Sequence, residues 1–280
     1  MAASMSVGDK TPNGTLDEYD YYTCAEMLEY LGDYKANRHP DGHDSSQQIS
    51  GHRDDFTGCH TYDNALDLLR TGWADGREQM GAMAAAYPPR SSAVQAVDLD
   101  VAGYRPDIAL YLAGEPACMQ TSIETRSSPF VSIAMNIVVS ASTPPAWVMN
   151  YGIGLASMIH GFETSGYSVE AIATMSTGNG SSVNRMDLEI KQAGQRLDTD
   201  RLAFICGHPA MTRRLYFGWL ECKTAGHKYG AGYGSICESE HPDADITVPS
   251  IIQHPEVAET LATSIEYFET LAKSQQTGER

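Results

Sequence analysis

Basic residues are scarce in this chain. Its 280 residues hold 19 Lys and Arg against 36 Asp and Glu, a formal net charge of −17 at pH 7. Such a field repels phosphate backbones, which argues against non-specific nucleic-acid binding and suits a basic partner or bound cations. Long apolar runs are missing too: no stretch approaches the roughly 20 residues that span a membrane. The opening MAASMSVGDKTPNG lacks the basic and apolar regions of a secretory signal. The expectation is a chain with no signal peptide and no membrane partner. Cysteines number six (Cys24, Cys59, Cys118, Cys206, Cys222, Cys237), and Cys206 lies in an apolar run like a small core residue. So few, so scattered, they point to a reduced, intracellular protein rather than a disulfide scaffold. No G-x-S-x-G elbow, no P-loop and no H-E-x-x-H occurs. A Ser–His–Asp triad built from distant residues would leave no sequence trace.

What is present is the material of a core. With 42% hydrophobic and 20% charged residues the chain is globular rather than disordered, and its length fits one large domain or two modest ones. Residues 1–35 are acidic and tyrosine-rich, with a short helix expected over 24–31. A polar loop follows, KANRHPDGHDSSQQISGHRDDFTG. Beyond it Thr61 can cap a helix whose apolar stripe is Ala65, Leu66 and Leu69 and whose end is marked by Gly72. A second helix is expected from about 74 to 86, stopped by Pro88 and Pro89. AVQAVDLDVAG and DIALYLAG read as strands or extended pieces, and TRSSP near residue 125 reads as a soft boundary.

The second half has a rhythm. PFVSIAMNIVVSAS is a strand with both faces buried, VMNYGIGLASMIHGFETSG a helix, SVEAIATMS and DLEIKQAG strands, and RLAFICG a third buried strand. MTRRLYFGWLEC is a helix, DITVPSI a strand and the C-terminus a long amphipathic helix. Strands alternating with helices predict an α/β fold with a three-layer, mostly parallel sheet of Rossmann-like type over 126–280. A smaller mixed α+β region precedes it over 1–125.

The order of strand, Ser-x-Ser loop, helix and strand resembles a von Willebrand factor A-like (vWA-like) domain. There the first strand ends in Asp-x-Ser-x-Ser, and a downstream Thr and Asp complete a divalent-cation site. In NIVVSASTPP, residues 136–145, Ser140 and Ser142 take the serine positions and Thr143 follows, but Val138 stands at the aspartate position. Two neutral hydroxyls anchor Mg²⁺ poorly, so the resemblance implies a degenerate metal-site turn. Three further segments make the chain similar to an uncharacterised phage-encoded family: FTGCHTYDNALDLLRTGWADG, DIALYLAGEPACM and DLEIKQAGQRLDTDRLAFICGHPAMTRRLYFGWLE. Together they cover most of 55–221. That kinship implies host cytoplasm or virion as the location.

Four constellations carry candidate chemistry. GHPAMTRR, residues 207–214, would put His208 at the sheet's carboxyl edge with Arg213 or Arg214 as an anion clamp. The structural alternative is a capping His208 and arginines paired with the chain's own carboxylates, for instance Glu221 or Asp187. Cys222, His227, Cys237 and His241 have the residue types of a zinc site, although their spacing matches no zinc signature. The polar loop holds His39, His43, His52, Cys59 and His60 among aspartates, a third set that polar loops also collect by chance. Tyr19, Tyr21, Tyr22, Tyr30 and Tyr34 crowd an acidic segment, which suits a protein interface or packing on the chain itself rather than base stacking.

The leading expectation is a non-enzymatic interaction, assembly or adaptor protein that meets a protein partner through loops 140–150, 174–182 and 207–214. No cofactor is favoured; Mg²⁺ at the serine turn and Zn²⁺ at the Cys/His set are the ions to consider, and the oligomeric state is left open. The alternatives are an enzyme acting on a phosphorylated or nucleotide small molecule, with His208 as acid–base, and a virion component.

Overall fold

Two faces of unlike polarity organise the sheet at the centre of this protein. The computed structural model describes residues 7–11, 14–40, 46, 54–78, 97–101, 105–122, 129–178, 181–223, 236–239, 241 and 243–277. In chain order the strands are β1 (Lys10–Thr11), β2 (Gly14–Thr23), β3 (Val97–Asp100), β4 (Arg105–Pro106), β5 (Met119–Ser122), β6 (Phe130–Asn136), β7 (Ser168–Gly178), β8 (Ser182–Lys191) and β9 (Ile246–Val248). The main helices are α1 (Cys24–Gly32), α2 (Tyr62–Thr71), α3 (Ile108–Ala113), α4 (Pro145–Thr164), α5 (Thr199–Gly207), α6 (Phe217–Cys222) and α7 (Leu261–Thr277). A π-helical turn, Met211–Tyr216, leads into α6. No helix among the described residues is long and apolar enough to cross a membrane.

The main sheet has the order β1-β2-β8-β7-β6-β9, and β3-β5-β4 form a second, small one. Strand β6 pairs in parallel with β7 on one side and β9 on the other. Strands β7 and β8 pair antiparallel, and β2 lies parallel to β8. The architecture is a mixed six-stranded sheet with helices, an α/β fold in the general sense. Because β2 is hydrogen-bonded to β8, the sheet draws on residues either side of the expected boundary near 125; residues 123–128 are outside the described set.

Register explains the two faces, because successive side chains point to opposite sides. One row aligns Met135, Ala173, Leu188 and Tyr22, and the next aligns Asn136, Thr174, Asp187 and Tyr21. The apolar rows, with Ile133, Ala171, Met175 and Met186, join one core with side chains from α1, α2, α4, α5, α6 and α7. The polar rows carry Ser176, Arg185 and Tyr19 as well. Residue Asn184 breaks the scheme: it is 0% exposed, and neither atom of its amide has a hydrogen-bond partner. A buried amide without partners costs about 1–3 kcal/mol. Asn184→Leu is therefore expected to raise stability by about 1–2 kcal/mol in urea unfolding. A loss instead would mean that water or a ligand satisfies the amide in solution.

Local chemistry sets the helix ends. Thr23 and Glu26 form a capping box on α1, and Thr61 and Asn64 form one on α2, which Gly72 ends at φ 85°. Residues 74–78 are helical; the rest of the expected helix to 86 lies outside the described residues. Two expectations are corrected. RLAFICG is helical, within α5, because Asp198 accepts from Arg201 N at 3.0 Å and starts a helix buried on every side. An apolar run that short has no periodicity to tell strand from helix. DIALYLAG holds α3 rather than an extended piece, with Asp107 accepting from Leu110 N at 3.2 Å as its cap.

Candidate functional site

After β6 the chain continues through buried Ile137, Val138 and Val139 to a turn at 140–143. The Ser140 and Ser142 hydroxyls are 3.0 Å apart, Ser142 N–H donates to Ser140 Oγ at 3.3 Å, and Thr143 N–H donates to the Ser140 carbonyl. Pro145 opens α4, where a missing N–H costs nothing. A cation reaches this turn, and it comes from the chain itself. Arg213 donates from Nη2 to the carbonyls of Ser140 at 3.1 Å and Thr143 at 2.5 Å, and from Nη1 to Phe56 O at 2.8 Å. Its guanidinium also stacks 4.2 Å from the centre of the Phe56 ring. It is 1% exposed, and burial pushes its pKa down to about 10, which leaves it charged at neutral pH.

Consecutive helical residues point about 100° apart, so Arg214 goes elsewhere. Fully buried, it donates to the carbonyls of Ser46, Cys59 and His60. Its neighbour Glu221 is buried too and accepts from Tyr34 Oη at 2.6 Å, from Ser46 N–H at 2.8 Å and from the Ser46 hydroxyl. The two arginines thus bind main chain from distant parts of the sequence rather than opening toward an anion. His208 follows the same logic. Its Nδ1 accepts from Ala210 N–H at 3.2 Å, its ring sits against Trp73 and Phe204, and burial lowers its pKa to about 4. Of the three expected partner loops, 207–214 is buried throughout, whereas Ala141, Ser142, Pro144 and Ala146 are exposed.

The polar face of the sheet holds a cluster that the motif search passed over. Arg185 and Asp187 make a bidentate pair, Nε to Oδ1 at 2.9 Å and Nη2 to Oδ2 at 2.8 Å, with both side chains nearly buried. Thr174 Oγ1 donates to Asp187 Oδ1 at 2.7 Å, Tyr19 Oη donates to Oδ2 at 3.2 Å, and His241 Nε2 lies 2.8 Å from Thr174 Oγ1. Arg185 Nη2 is 3.0 Å from His241 Nε2 and 3.2 Å from Nδ1. Burial first and the Arg185 charge second pull the His241 pKa down to about 4. Nearby, Asn136 exchanges hydrogen bonds with the main chain of Ser239, and the Ser176 and Ser239 hydroxyls meet. The signal was legible: polar residues at 136, 174, 176, 185 and 187 alternate with apolar ones.

The Cys/His set is not gathered by the described residues. His227 lies outside them, His241 is engaged by Thr174 and Arg185, and burial pushes the Cys222 thiol up to about 12 and Cys237 to about 11, away from the thiolate that zinc needs. No group of three or more His, Cys, Asp or Glu among the described residues is placed to hold a metal ion. In the polar loop, His43 and His52 are outside the described residues, and Cys59 and His60 offer their carbonyls to Arg214. The tyrosines and acids satisfy one another: Tyr21 donates to Glu189 at 2.6 Å, Tyr22 to Asp20 at 2.8 Å and Tyr34 to Glu221. Burial, reinforced by these carboxylates, raises the pKa of each phenol.

The two uncharged histidines give a testable pH dependence. Each ring has its pKa lowered from 6.5 in folding, so between about 6.5 and 4 the unfolded chain binds protons that the native fold refuses. Stability therefore falls as pH drops through that window and levels off below it. His208→Asn, which keeps an acceptor for Ala210 N–H, is expected to flatten part of this slope in urea midpoints measured at about pH 7, 5.5 and 4.5. A variant with the full wild-type slope would show that His208 is not the group titrating.

A family model described as "Domain of unknown function (DUF7192)" matches residues 16–275. No curated protein and no solved structure matches the chain.

Proposed function

The chain belongs to the DUF7192 family, and from that premise we propose that it is a non-enzymatic binding scaffold, an assembly or adaptor protein of phage origin, built on a vWA-like half. Strand β6, the serines at 140 and 142, α4 and β7 follow in the order on which that resemblance rests. The observation that carries the reading is Arg213. Its guanidinium fills the turn's carbonyls, so the exposed tip at 141–146 meets a partner through shape, hydroxyls and apolar contact rather than through a shared metal ion. The enzymatic alternative would need His208 to exchange protons and Arg213 to receive an anion. Both side chains are buried and engaged with the chain's own backbone.

Proximity labelling in the source cells tests this with the wild type, Ala146→Arg at the exposed tip, and Glu266→Arg on the exposed side of α7. A set of neighbours lost with Ala146→Arg and kept with Glu266→Arg is the expected result. Identical sets for all three folded proteins would sink the proposal. Mass spectrometry of purified particles separates an adaptor, absent from them, from a virion component.

A further inference from the structure

The edge of the sheet at β2 is unfinished. Strand β8 pairs with β2 from Thr15 to Thr23, but β1 covers only Gly14 and Thr15, and the hydrogen bonds between Gly8, Asp9 and Leu16 extend that cover by one residue. Among the described residues no strand lies along the outer side of 17–23. Residues 17–22 make no main-chain hydrogen bond outside the β2–β8 ladder. In a parallel ladder every second residue points its N–H and C=O away from the partner strand. About three residues of this stretch therefore offer main-chain donors and acceptors outward. Proteins usually blunt such an edge with proline, lysine or a very short strand. Strand β2 is ten residues long and has neither residue type; a bulge at Asp17 is its one irregularity.

What the edge does carry is negative charge. Asp17, Glu18 and Asp20 lie on it, all partly exposed. Asp20 is matched by Lys223 Nζ at 2.5 Å and also accepts from Trp219 Nε1 and Tyr22 Oη, and Asp17 accepts from the Ser182 hydroxyl. Glu18 has no cation beside it among the described residues. Tyr21, 40% exposed, stands on the opposite face from Glu18 and Asp20 by alternation, as does Tyr19. Such an edge repels its own copy, acid against acid, and attracts a strand whose Lys or Arg heads face Glu18 while their apolar stems lie along tyrosine rings.

We propose that the outer edge of β2, residues 17–23, is a docking site for an extended peptide segment bearing lysine or arginine at alternate positions, which adds to the sheet as a further strand. Main-chain hydrogen bonds supply the affinity and the acidic edge supplies the choice of partner. The site is separate from the serine turn, so the two can fail independently.

The test uses the full chain and three blocked heptapeptides: alternating Lys–Val, alternating Glu–Val, and Lys–Val with N-methylation of alternate amides, in both registers. The Lys–Val peptide is expected to bind about tenfold tighter than Glu–Val at low salt, through two or so charge contacts. That gap should narrow in about 0.5 M salt. Binding should slow amide exchange across 17–23, one methylation register should abolish it, and Glu18→Lys should cut the Lys–Val preference several-fold without moving the Tm. Equal binding of both charges, or indifference to both methylation registers, would overturn the proposal. So would binding that leaves exchange at 17–23 unchanged, or protection of those amides in the peptide-free protein, which would mean that the chain itself or a second copy already occupies the edge.

Discussion

Arg213→Ala is expected to lower stability by about 3–5 kcal/mol, the range found when one partner of a buried charged contact is removed. Three carbonyls, of Phe56, Ser140 and Thr143, would lose their donor inside the protein, and the Phe56 ring would lose its stacked cation. Charged hydrogen bonds contribute about 1.5–3 kcal/mol each, so the estimate does not require all three to be fully lost. Arg213→Lys should recover only part, because a single ammonium on a flexible stem cannot present a planar fork to two carbonyls at once. Guanidinium unfolding with an unchanged m-value is the measurement. A loss below about 1 kcal/mol for the alanine variant would show that the turn at 140–143 holds its shape without the guanidinium.

Gly152→Ala is expected to cost about 3 kcal/mol or to prevent folding, at the upper end for overpacked cores. The main chains of α4 and α5 touch at this residue. A Cβ built on Gly152 would lie 2.1 Å from the Cys206 carbonyl oxygen and 2.1 Å from Gly207 Cα. Both obstacles are backbone, and a helix cannot swing aside as a side chain can. Alanine's better helix propensity offsets only about 1 kcal/mol. Gly32→Ala is the control: it ends α1 with nothing within 4 Å of the new methyl, and should be neutral or slightly stabilising. Equal melting of the two variants would mean that α4 and α5 are farther apart in solution.

Much of the fold was legible where the physics is local. Thr61 and Gly72 delimit α2 through their own hydrogen bonding and backbone freedom, and Pro145 starts α4 by its fixed φ. The apolar runs of β6, β7 and the C-terminal helix announce burial by composition alone. RLAFICG and DIALYLAG were misread because a short apolar run has the same composition in a buried helix and a buried strand. The candidate site was legible in its residues and not in their roles. Ser140, Ser142, His208, Arg213 and Arg214 were all singled out, but which carbonyl a guanidinium reaches depends on segments 70 to 170 residues away.

The sequence by itself determined that the chain is acidic, globular and α/β, that its 140–143 turn has serines without the metal-anchoring carboxylate, and where several helices begin and end. Those properties follow from composition, side-chain chemistry and contacts a few residues long. Only the tertiary structure decided that β2 joins β8, that one sheet face is polar around Arg185 and Asp187, and that Arg213 enters the serine turn while His208 is buried uncharged. Those depend on pairings between distant residues, whose geometry exists only once the core has closed.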